Sequence, residues 1–200
     1  MCALYTVAVL SLLSAAAAAP VPCEELVKPL VLDNVDKILG KWILIAGTAD
    51  DPNNVDVLRN IDSAWLQFSL ASHNDTAIFT QGVRLGKECI YSSAKTTIKN
   101  NKFTINDTIV STGVLLRADP DYLLMSYSNT FGQITFQFLY LLGKKADLSV
   151  SELELYKRQV KCLSLHPPVL MDKEKELCPK KREPSQIKEL KGEKEGQESY

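Results

Sequence analysis

Side chains able to do covalent or acid–base chemistry are sparse in this 200-residue chain. Its two histidines are His73, beside the sequon Asn74-Asp75-Thr76, and His166, before Pro167-Pro168. Neither stands at a spacing from a Ser and an Asp that would suit a nucleophile, its base and the group that orients the base. Both read as solvated loop residues. No two carboxylates suggest a general acid and base, and no acidic cluster suggests a cation site. The other reactive groups are five cysteines, Cys2, Cys23, Cys89, Cys162 and Cys178. No two of them sit at zinc-ligand spacing. The residues therefore predict a protein that is not an enzyme and carries no metal or cofactor.

The cysteine count depends on the N-terminus. Residues 1–19, MCALYTVAVLSLLSAAAAA, hold no charged side chain and pass from a Leu/Val-rich centre to an alanine run. That pattern predicts a secretory signal peptide, cleaved after Ala18 or Ala19, with an apolar centre too short for a span of ~20 residues. Cleavage removes Cys2 and leaves four cysteines in an oxidising compartment, which predicts two disulfides. Four cysteines allow three pairings, and spacing does not choose among them. The sequons at Asn74 and Asn106 lie beside turn-forming residues between apolar runs, where N-glycans are tolerated.

Composition narrows the partners. With 46% apolar residues, 24% charged residues and a net charge of −1, the chain is ordinary globular protein, and nucleic acid is not expected as a partner. From Trp42 to Gly143 the text consists of eight short strand-like runs: 42–48, 64–70, 77–85, 89–98, 102–109, 112–118, 122–128 and 133–142. Even spacing of such runs predicts an all-β sandwich or barrel. Tyr122–Gly143 lacks charge and is long enough to raise a transmembrane helix. Its Ser, Asn, Thr and Gln content is too polar for hydrocarbon, so it reads as a hairpin turning at SNTFGQ.

The second strand of that hairpin is the most informative. Ile134, Phe136, Phe138, Tyr140 and Leu142 share one face; Gln133, Thr135 and Gln137 share the other, followed by Leu139 and Leu141. The outer apolar end needs a cover. Residues 149–163 supply one, with Ser149 and Glu152 at capping-box spacing and Leu153, Tyr156, Val160 and Leu163 as an apolar stripe. After Cys178 six basic and five acidic residues alternate with almost no bulky apolar side chain, which predicts a solvated tail over 179–200.

A signal peptide, Gly40-Lys41-Trp42 ahead of the first strand, eight strands and one late helix together resemble a lipocalin. The family's second motif is matched by Asp119-Pro120-Asp121-Tyr122, and its third, normally an arginine after the last strand, by Lys144. The start of the mature chain, Cys-Ile-Tyr at Cys89, Lys-Cys-Leu-Ser-Leu at Cys162 and Glu-Leu-Cys-Pro-Lys-Lys at Cys178 are similar to the alpha-1-acid glycoprotein branch. That branch includes the fish plasma lipocalins that bind saxitoxin, tetrodotoxin or tributyltin. The resemblance implies an eight-stranded up-and-down antiparallel barrel over 20–178 with one C-terminal α-helix packed outside. It further implies the bridges Cys23–Cys162 and Cys89–Cys178, and a floor of Gly40, Trp42 and Lys144, lysine lacking the planar stacking of a guanidinium. A few lipocalins are enzymes through a free cysteine in the barrel, but a paired Cys89 leaves no such thiolate.

The expected function is a secreted carrier in blood plasma that holds small hydrophobic or amphipathic molecules, toxins or xenobiotics among them. A closed barrel leaves no free edge for pairing, so a monomer is expected. The alternatives are a modulator acting through its loops and a lipid carrier resembling apolipoprotein M. Alternation assigns Phe136, Phe138, Tyr140 and Leu142 to the pocket wall, and parity from Trp42 adds Leu44 and Ala46. The resemblance adds Tyr122, Leu124 and Ser126. Arg84 is assigned inward as a single charge, and Tyr91 and Phe103 complete the set. For each of these, ordinary barrel packing is the plain alternative.

Overall fold

The computed structural model describes residues 21–32, 35–71, 76–99, 102–106 and 109–180. The expected signal segment, the sequon at Asn74 and nearly all of the charged tail lie outside them. Asn106 falls in a strand, but its side chain is outside the description.

Eight antiparallel strands close into a barrel: β1 Gly40–Ala49, β2 Ser63–Leu70, β3 Thr76–Leu85, β4 Glu88–Lys99, β5 Lys102–Asn106, β6 Val110–Ala118, β7 Tyr122–Phe131 and β8 Ile134–Gly143. Each pairs with its neighbour in sequence, and β1 pairs with both β8 and β2 to close the ring. A two-residue strand, β9 Val169–Leu170, pairs with β1 at Ala46 and Gly47, beyond the stretch where β2 pairs with β1. The hairpin between β7 and β8 is tighter than its sequence suggested. Strand pairing continues to Phe131 opposite Ile134, which leaves only Gly132 and Gln133 to turn.

Among the described residues, three α-helices join the barrel: α1 Cys23–Leu26, α2 Pro52–Arg59 and α3 Val150–Cys162. Only α3 was expected. At its start the Ser149 hydroxyl accepts from the Glu152 N–H at 3.2 Å, satisfying one free amide. The Glu152 carboxylate does not complete a capping box; it pairs with Arg117, tying the helix to the end of β6. Tyr156 and Val160 are buried against Ala46, Leu124, Leu139 and Leu141 on the outside of the sheet. The Tyr156 hydroxyl donates to the Leu139 carbonyl at 2.7 Å, so its one polar atom is satisfied. Burying each such side chain is worth ~1.5–3 kcal/mol, and the outer apolar end of β8 is the surface that makes this possible.

Two disulfides fasten the ends of the chain to this frame. Cys23 of α1 is bonded to Cys162 of α3, and Cys89 of β4 to Cys178. Between them, residues 171–178 cross the outside of β1 and β2 as a strap. Ser63 donates to the Glu176 carbonyl and the Trp65 indole to the Cys178 carbonyl, both across the strap.

Candidate functional site

One end of the barrel is sealed. Trp42 is fully buried, and its indole N–H donates to the Ile38 carbonyl at 2.8 Å, in the 3-10 turn that crosses beneath the strands. The Lys144 ammonium stands 3.5 Å from the Trp42 ring centroid and donates to the carbonyls of Leu39 and Lys41. Desolvation holds its pKa below the ordinary lysine value. Gly40 enters β1 at φ +94°, a conformation open to glycine, and a Cβ there would sit 3.4 Å from the Lys144 nitrogen. The three residues singled out by the floor motif are thus brought together.

The walls follow from register, since residues directly opposite in an antiparallel pair face the same side. Leu142, Tyr140, Phe138 and Phe136 point inward, as alternation along β8 indicated. Opposite them on β7 stand Leu123, Met125, Tyr127 and Asn129. Tyr122, Leu124 and Ser126 are therefore on the outer face, contrary to the family-based assignment. Leu124 packs under α3, and Tyr122 lies beneath the Arg117 guanidinium.

A bulge makes a second correction. The pairing of β1 with β8 slips between Leu44, opposite Leu142, and Ala46, opposite Leu141. Parity from Trp42 holds as far as Leu44, which faces in; beyond the bulge Ala46 faces out, against α3. Arg84 and Tyr91 are also outside. Arg84 pairs with Ser63 and donates to Glu176 and the Leu177 carbonyl of the strap. Tyr91 leans on Trp65 and donates to the Pro179 carbonyl. Both were misassigned because the strap, which gives these outer side chains a carboxylate and carbonyl partners, has no periodic signature. Phe103 does face in, and it has room because Gly113 opposite it carries no Cβ to meet its ring.

The open end is partly closed by α2. Asp51 caps it by accepting from the N–H groups of Asn53 and Asn54, and Pro52 opens its first turn. Val55 and Leu58 are 2% exposed. Val55 packs with Ala49 and Phe138, with Phe136, Tyr127 and Tyr140 alongside, and Leu58 lies over Gly47. Tyr127 stacks on Phe138 at 5.0 Å between centroids and meets Tyr140 edge-on at 5.1 Å.

Beyond these rings a cavity remains, with about 120 Å³ open to the centres of water-sized groups. At the ~30 Å³ that each water takes in the liquid, that is room for roughly four waters. Leu66, Phe79, Phe103, Ile105 and Met125 give it an apolar lining; Gln81, Ser111 and Asn129 give it neutral polar groups. Among the described residues, the lining holds no carboxylate, lysine, arginine or histidine. Burial, with a hydrogen bond to Tyr140, pushes the Tyr127 phenol well above its ordinary pKa, and burial raises Tyr140 as well. A larger crevice, of 170 Å³, lies outside the barrel between β1 and the strap, bordered by Ile43, Ile45, Met171, Leu177 and the exposed Lys173 and Lys175. Its described lining has no aromatic residue.

Of the lining residues, Leu66, Phe79, Gln81, Ile105, Ser111, Met125, Tyr127 and Asn129 were missed. Applying cross-strand pairing to the hairpin outward from Tyr140 would have found Met125, Tyr127 and Asn129.

Comparison with known proteins agrees with this architecture. Two curated relatives from Takifugu pardalis, saxitoxin and tetrodotoxin-binding proteins 1 and 2, are each 27% identical over 191 residues, covering 83% of this chain and 46% of theirs. The chain thus spans about half the length of these relatives. Among solved structures, the siderocalin Ex-FABP superposes with a TM-score of 0.63 at 10% identity, over 73% of this chain and 97% of its own. A dog lipocalin allergen gives 0.59 at 14% identity, over 72% and 99%. At such identities the likeness concerns the fold. Residues 39–176 match the lipocalin / cytosolic fatty-acid binding protein family, and with floor, barrel and outer helix in place this chain belongs to that family of small-hydrophobic-ligand binders.

Proposed function

We propose that the chain is a secreted plasma carrier that holds a small hydrophobic or amphipathic molecule in the barrel, toxins or xenobiotics included. The observation that carries this reading is a lined cavity inside a closed barrel, sealed at the Trp42 end and covered by one short helix at the other. Binding rather than catalysis fits a described lining without carboxylate, imidazole, amine or thiol, and the four cysteines that remain after residue 20 are all bridged. Toxin binding by the Takifugu relatives supports a carrier role. The two disulfides suit an oxidising compartment, and the N-terminal pattern and sequons suit export.

Burial of apolar ligand surface contributes ~25 cal/mol per Å² before ordering costs, so a cavity of this size favours micromolar or weaker affinity for several ligands. The test uses neighbours on β3 that face opposite ways. Phe79→Trp fills the cavity and is expected to abolish binding of a small aromatic probe while the protein stays folded. Thr80→Trp, on the outer face beside Ser93, is expected to leave binding intact. Equal effects from the two would refute the barrel as the binding site.

A further inference from the structure

The cavity's polar groups are few and uncharged, and their arrangement is asymmetric. Ser111 and Asn129 stand directly opposite each other on β6 and β7, near the open end. The Ser111 hydroxyl donates to Asn129 Oδ1 at 2.7 Å, which takes one of the amide oxygen's two lone pairs and leaves Nδ2 as a double donor. Gln81 on β3 shares the cavity lining with this pair, as do the rings of Phe79, Phe103 and Tyr127.

We propose that the Ser111–Asn129 pair is the polar anchor of the barrel site and that the site selects neutral ligands: an aromatic or aliphatic body carrying a carbonyl, ether or hydroxyl acceptor. This rests on the barrel reading and goes beyond it by naming the ligand's charge. A carboxylate entering the cavity would lose its water and find no counter-charge among the described lining residues. An ammonium would find ring faces and neutral oxygens but no carboxylate. The same poverty of solvation that keeps the Tyr127 and Tyr140 phenols protonated acts against any charge on the ligand. A neutral acceptor loses less on entry and recovers a hydrogen bond from Asn129 Nδ2, worth about a fivefold gain in affinity at ~1 kcal/mol.

The experiment titrates the full mature protein by calorimetry or ligand-observed NMR with four molecules of similar size: acetophenone, benzoate, benzylammonium and ethylbenzene. Acetophenone is expected to bind at least about tenfold more tightly than either ion. Asn129→Leu should weaken acetophenone about fivefold and leave ethylbenzene unchanged or improved. Asn129→Asp, which puts a carboxylate at the anchor, should reverse the preference towards benzylammonium. Benzoate or benzylammonium binding as tightly as acetophenone, with ethylbenzene still bound, would overturn this inference alone. So would an Asn129→Leu substitution that changes the affinities for acetophenone and ethylbenzene by the same factor. Failure of all four to bind would overturn the barrel reading with it.

Discussion

Replacing Leu58 by alanine tests whether α2 is a seated plug or merely a loop drawn close. Leu58 is 2% exposed, and its δ-carbon lies over Gly47 on the inner face of β1. The substitution removes three carbons, which at ~0.8 kcal/mol each amounts to about 2.4 kcal/mol of lost burial. A void left behind adds ~24 cal/mol per Å³. At this position the void can merge with the neighbouring cavity or admit water, so the total should fall near ~2.5–3.5 kcal/mol, at the lower end for buried leucines. For a domain of this size that is a drop in Tm of roughly 6–12 °C. Denaturant unfolding with the disulfides oxidised would measure it, with an unchanged slope showing that only stability moved. The same variant should bind a bulkier probe than the parent tolerates, since the mouth is wider. A loss below ~0.5 kcal/mol, typical of surface positions, together with an unaltered ligand range, would refute the seating of α2.

Two other expectations follow from the interior and from the proposed route of export. Burial raises the pKa of Tyr127, Tyr140 and Tyr156 above the unfolded value of about 10, so the folded state keeps protons that the unfolded state gives up. Stability should then be full below that pH and decline as pH rises through it, less steeply in Tyr127→Phe; a parent and variant with identical alkaline slopes would count against the buried phenols. Protein isolated from the secreting organism should begin near Pro20 and lose mass on glycosidase treatment through glycans at Asn74 and Asn106, whereas an intact first twenty residues or an unchanged mass would contradict export.

The barrel was legible in the sequence because its signal is local. Alternation along β8 exposed both the inward ring of Phe136, Phe138, Tyr140 and Leu142 and the outer patch that α3 covers. Parity failed where a single residue was inserted: the bulge after Leu44 turns Ala46 outward, and nothing in Leu44-Ile45-Ala46 marks it. The outward positions of Arg84 and Tyr91 depend on a strap from ninety or so residues further along the chain, an interaction that no window on β3 or β4 contains. The helix α2 was missed although Asp51-Pro52 is a helix start. Its buried residues are only Val55 and Leu58, too few to draw a periodic stripe.

The bridge between Cys23 and Cys162 spans 139 positions, from α1 to the last residue of α3. Tension applied between the two ends of the described chain would pass from the N-terminal arm straight across that sulfur bond into the segment that follows Cys162. The second bridge fixes the far end of that segment, Cys178, to β4. Residues 163–177 could therefore lengthen only if β4 were drawn away from α3, so the folded barrel shares the load and holds the segment at its native span. Pulled by its ends, the molecule would resist as one doubly stapled body until its strands part.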